Sequence, residues 1–73
     1  MNVQSAVRHL VNMSGKSHRQ LAADMGKSAP TYVSGMINRG TDPQTSTFAM
    51  LARACGYRLQ LVSDDGRDVV EID

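Results

Sequence analysis

Ser17, His18 and Asp24 carry the hydroxyl, imidazole and carboxylate that acyl transfer requires. All three fall on one short predicted helix, where the geometry of a triad cannot form. Cys55 is the single cysteine, and it lies on the apolar stripe of another predicted helix. There it reads as a small core residue rather than a nucleophile. His9, His18 and Cys55 make no metal-ligand spacing. Asp64, Asp65 and Asp68 are close enough to suggest a cation loop, but they miss the EF-hand pattern and read as a solvated turn. The sequence therefore predicts no enzyme, no cofactor and no metal site.

What remains is the chemistry of holding a polyanion. The charges are split along the chain. Residues 1–58 hold seven Lys or Arg (Arg8, Lys16, Arg19, Lys27, Arg39, Arg53, Arg58) against Asp24 and Asp42, a net +5. Residues 59–73 hold Arg67 against Asp64, Asp65, Asp68, Glu71 and Asp73, a net −4. Ordinary solvated surface would account for the charges alone, but a basic body beside an acidic tail fits a surface that faces a polyanion and an end that faces elsewhere.

Four predicted helices position the basic body. Val3, Ala6, Val7, Leu10 and Val11 recur at helical spacing over Asn2–Met13. Ser17 and Gln20 form a capping box that opens a second helix, with Leu21, Ala22 and Met25 as its apolar face and Gly26 as its stop. A third begins near Ser28 with Pro30 in its first turn, and carries Tyr32, Val33, Met36 and Ile37 as apolar positions. Gly35 inside it is either a tolerated weak spot, costing about 1 kcal/mol against alanine, or a point of close approach. A fourth runs from about Thr45 to Cys55, with Phe48, Leu51, Ala52 and Cys55 inward and Gly56 as its stop. The period then changes to two: Tyr57, Leu59 and Leu61 alternate with Arg58, Gln60 and Val62, the mark of a strand. Asp64-Asp65-Gly66 signals a turn, and Val69, Val70 and Ile72 suit a second strand.

Two short helices on either side of Gly26 make a helix-turn-helix. Ala22 is small enough for the helices to cross closely, and Gly26 supplies the positive φ that the turn requires. The outer face of the second member is short and polar, with Ser28, Thr31, Ser34 and Asn38, as a helix in a major groove would need.

On these residues the chain resembles the phage-repressor and Cro-type, or XRE-like, helix-turn-helix family. The resemblance covers residues 5–57. It rests on Ser17 to Ala22, Gly26, Ser28, Val33-Ser34, Asn38-Arg39-Gly40, Pro43, Thr47-Phe48 to Leu51-Ala52, and Gly56. The stretch from Gly26 to Gly40 is one residue longer than the usual pattern, so either Tyr32 or Val33 takes the buried mid-helix position.

The resemblance implies a mainly α, four-helix lambda-repressor-like domain over residues 1–56, followed by a β-strand or hairpin over 57–73. It also implies DNA-binding roles. His18 and Arg19, opening the second helix, would meet a phosphate. Lys27, Ser28, Ala29, Pro30 and Thr31 would form the tip of the reading helix, and Tyr32, Ser34 and Asn38 would continue its face. Arg39 and Thr41, with Gln44, Thr45 and Ser46, would clasp the backbone on the other side. Two positions stay open: Ser28 is a helix cap or a contact, and Tyr32 is core or a reader. Lys16 and Arg53 read as solvated surface.

A chain of 73 residues buries only about 60% of its unfolded surface and has no second cysteine for a disulfide, so a partner subunit is the expected stabiliser. Tyr57, Leu59, Leu61, Val62 and Val70 are the expected dimerisation residues, pairing between chains or folding on their own body. No apolar run approaches the ~20 residues of a membrane span, and the N-terminus lacks a secretion-signal layout, so a cytoplasmic location is expected. The leading expectation is a dimeric, sequence-specific DNA-binding transcriptional repressor of phage, mobile-element or autoregulatory type, on a palindromic operator. The alternatives are an antitoxin with a cognate toxin as partner, and a helix-turn-helix scaffold for protein contacts only.

Overall fold

The structure, a computed structural model, describes residues 1–29, 31–39 and 42–73. Its helices are α1 (Val3–Ser14), α2 (His18–Asp24), α3 (Thr31–Asn38) and α4 (Thr45–Ala54), followed by strands β1 (Leu59–Val62) and β2 (Val69–Ile72).

Polar caps set where the first two helices begin. The Asn2 side chain accepts a hydrogen bond from the Ser5 amide at 2.8 Å, so Asn2 caps α1 from outside. Ser17 Oγ accepts from the Gln20 amide at 3.1 Å and caps α2 in the same way. The expected capping box is only half made. The Gln20 side chain does not reach back to accept from the Ser17 amide; it points forward, with Nε2 donating to Asp24 Oδ1 at 2.8 Å, a charge-assisted bond one turn ahead on the same face.

Glycine closes α2 and α4 with the same geometry. At Gly26 (φ 75°) the Gly26 amide donates to Ala23 O and the Lys27 amide to Ala22 O. At Gly56 (φ 85°) the Gly56 amide donates to Arg53 O and the Tyr57 amide to Ala52 O. This is the Schellman closure, which needs a left-handed residue. It also overturns the expected strand start. Tyr57 does not belong to β1, because its amide is used in ending α4, and the strand begins at Leu59.

The core forms where the helices meet. Leu21, Leu51, Val33 and Val7 are almost wholly buried, with Leu10, Val11, Ala22, Met25, Met36 and Ala52 around them. Burial of each larger aliphatic side chain favours folding by about 1.5–3 kcal/mol. Val33 takes the buried mid-helix position of α3, while Tyr32 packs half-buried at the core's edge. No polar or charged side chain is buried among the described residues. No helix among them is long and apolar enough to cross a membrane.

β1 and β2 pair antiparallel within the chain, Leu59 opposite Ile72 and Val62 opposite Val69. The intervening turn is held by side chains: Ser63 Oγ donates to Asp65 Oδ1, which also accepts from the Arg67 amide. These two bonds lower the Asp65 pKa, the Ser63 hydroxyl more than the amide. β1 lies against α4, and Arg53 of α4 pairs with Asp73 just past β2.

Candidate nucleic-acid interface

α2 packs more closely on α3 than any other two helices pack on each other. Leu21 and Ala22 meet Val33 and Met36 in the shared core, so the opposite side of α3 is left outward. Thr31 and Asn38, at its two ends, are exposed, and Ser34 between them is half-buried.

Polar ties fix the pair beyond its apolar contact. His18 Nδ1 and Ser34 Oγ lie 2.7 Å apart and share a hydrogen bond, joining the start of α2 to the middle of α3. Both are among the expected DNA contacts, and each commits part of its polar capacity to the other. The Lys27 ammonium stands 5.3 Å from the centre of the Tyr32 ring, a cation–π distance. The Tyr32 ring thus edges the core and holds a cation at the turn before α3.

α3 starts at Thr31; Ser28 and Ala29 precede it as exposed residues, and the Tyr32 amide donates back to Ala29 O at 3.1 Å. Pro30 and Thr41 themselves lie outside the described residues.

Arg39 follows the last residue of α3 and is exposed. It lines a cleft with Tyr32, Met36, Asp42, Pro43, Gln44 and Thr47, between the end of α3 and the start of α4. Gln44 caps α4 without a side-chain hydrogen bond, and Thr45 and Ser46 are exposed beside it. The first amides of α4 thus adjoin the Arg39 cleft, an arrangement that suits an anion. Asp42 in the same cleft opposes that charge. Arg19 is exposed in the first turn of α2.

Two other cations are engaged elsewhere. Lys16 Nζ donates to Asp24 Oδ2 and to Ala54 O, both at 2.9 Å. The Lys16 bond, followed by that from Gln20, holds the Asp24 carboxyl below its ordinary pKa. Arg53 is paired with Asp73. Sequence spacing did not reveal the Lys16–Ala54 or His18–Ser34 contacts, because each joins residues far apart in the chain. Cys55 is half-buried, and burial is the main influence raising its thiol pKa, the opposite of what a nucleophile needs. Among the described residues no group of three His, Cys, Asp or Glu could hold a metal ion. No protein-family model, curated protein or solved structure matches the chain.

Proposed function

We propose that this chain is a sequence-specific DNA-binding transcriptional regulator, a homodimeric repressor of phage, mobile-element or autoregulatory type. In this reading the four helices form a lambda-repressor-like domain, and α2, the Gly26 turn and α3 are its helix-turn-helix. The observation that carries it is the outward side of α3. Thr31, Ser34 and Asn38 line a helix whose other side is anchored in the core, and Arg19, Lys27 and Arg39 surround it. Short polar side chains suit contact with base edges and thymine methyls, and the flanking cations suit phosphates. Long base-reading side chains are absent from the middle of α3, so DNA shape and two half-sites would supply the remaining selectivity.

The test is affinity capture of sheared genomic DNA by the purified protein, with the recovered DNA sequenced at two salt concentrations. A salt-resistant palindromic site supports the proposal. Uniform recovery that vanishes with salt overturns it. Arg39→Ala should weaken binding evenly across sequences and reduce the salt slope by about 1, with folding unchanged. Asp42→Asn should strengthen binding, because it removes the carboxylate from the Arg39 cleft.

A further inference from the structure

The 2.7 Å bond between His18 Nδ1 and Ser34 Oγ joins two groups that can each donate or accept. Ser34 is half-buried in the middle of α3, and His18 opens α2. The hydroxyl has one proton and two lone pairs to distribute. When the Nδ1 lone pair faces Oγ, Ser34 gives its proton to that bond, and only lone pairs are left for anything else. When Nδ1 carries a proton, the ring donates to Oγ, and the hydroxyl proton is free to point away. A neutral imidazole permits both arrangements, one for each tautomer. An imidazolium carries a proton on both nitrogens and permits only the second.

No residue one turn ahead of His18 (Leu21, Ala22) is ionisable, nor is any one turn from Ser34 (Thr31, Ile37, Asn38). The ionisable groups of the helices packed together here are Arg19 and Asp24 on α2, Tyr32 on α3 with Lys27 and Arg39 at its ends, and Arg53 on α4. Asp24 and Arg53 are engaged with Lys16 and Asp73, and Lys27 with the Tyr32 ring. Beside these groups, an imidazole is the one whose type changes charge near neutral pH.

We infer that His18 is a positioning residue for base readout: its protonation sets whether Ser34 offers a base edge a donor or only acceptors. The inference rests on the DNA-binding reading above. Its consequence is a base preference that moves with pH. With the Nδ1 lone pair facing it, Ser34 matches the amino donors adenine N6 and cytosine N4. With the ring charged, Ser34 donates to guanine O6 or N7, or to thymine O4. Histidines charge between about pH 8 and pH 5, so acid should favour edges that only accept. The new positive charge also attracts phosphates, but it does so on every sequence alike and cancels in a ratio of affinities.

The test varies each base pair of the site recovered by DNA capture and reads affinity by fluorescence anisotropy from about pH 5.5 to 8. Ser34→Ala should relax the preference at one position. There, on acidification, the wild-type chain should gain about two- to tenfold for guanine relative to cytosine, the worth of one hydrogen bond. His18→Asn, which sets a non-titrating amide near the Nδ1 position, should hold that ratio flat with pH, and so should His18→Gln. In the DNA-free chain, the Ser34 Cβ resonance should follow the titration of the His18 ring. A flat wild-type ratio overturns the inference. So does a pH-dependent ratio that persists in both His18 variants, or a Ser34 resonance indifferent to the ring. A chain that captures no specific site fails the DNA reading and this inference with it. A chain that captures one but keeps its preference constant fails this inference alone.

Discussion

The helical body and the hairpin treat their apolar residues in opposite ways. Leu21, Val33 and Leu51 are 0% exposed, whereas Leu61, Val62, Val69 and Val70 are between 47% and 63% exposed. Both regions are rich in aliphatic side chains, so composition does not separate them. Geometry does. Helices that cross can cover one another on several sides, and α2 is enclosed by α3 and α4. Two four-residue strands cannot enclose their own side chains, and the hairpin meets the body at its base, where β1 lies against α4. The helices of the body bury one shared core between them. The hairpin is anchored at its base and leaves its far half uncovered.

The sharpest way to break this contrast is to empty the core. Leu21→Ala should cost about 2–5 kcal/mol, and Leu51→Ala a similar amount, read by urea denaturation. An effect below 1 kcal/mol at either position would mean the body is not tightly packed. The turn between α2 and α3 comes next. Gly26→Ala forces a side chain into left-handed backbone and should cost about 1–2 kcal/mol. Gly35→Ala, in ordinary helical geometry with only Arg39 Nη2 near the added carbon, should instead stabilise by up to about 1 kcal/mol. Thermal melting of the two alanine variants should therefore shift in opposite directions. Loss of the α2 cap in Ser17→Ala should cost about 1 kcal/mol.

Hairpin substitutions should fall below all of these in dilute solution. Leu61→Ser should change the stability of the single chain by no more than about 0.5 kcal/mol, the range of surface positions. Acid should have the mildest effect. The Asp24 carboxyl is held below its ordinary pKa, chiefly by the hydrogen bond from Lys16. Its contribution is complete above that value and is lost as pH falls through the lower folded-state pKa. Asp24→Asn should flatten the pH dependence of stability below about pH 4, measured by denaturation across an acid series.

Much of the body was legible from local signals. Ser17, Gly26 and Gly56 mark helix ends because capping is decided by residues within one turn. The buried residues of α1 and α2 follow directly from their spacing. What was illegible depends on distance or competition. Gln20 could accept from the cap amide or donate forward to Asp24, and spacing offers both; the structure shows the forward bond. Tyr57 fits a strand by alternation, yet its amide closes α4. For the candidate interface, the cations and the polar side of α3 were visible as residue types. The His18–Ser34 bond was not, since it forms only once α2 and α3 have crossed.

Lys16 has a structural consequence. Its ammonium joins Asp24, at the end of α2, to the last carbonyl of α4. The Tyr57 amide turns back onto Ala52, and β1 begins at Leu59. No slack length of chain separates the clamp from the strand. The end of α2, the end of α4 and the start of the hairpin thus share one corner of the molecule, and Lys16 is the side chain that bridges the two helices there.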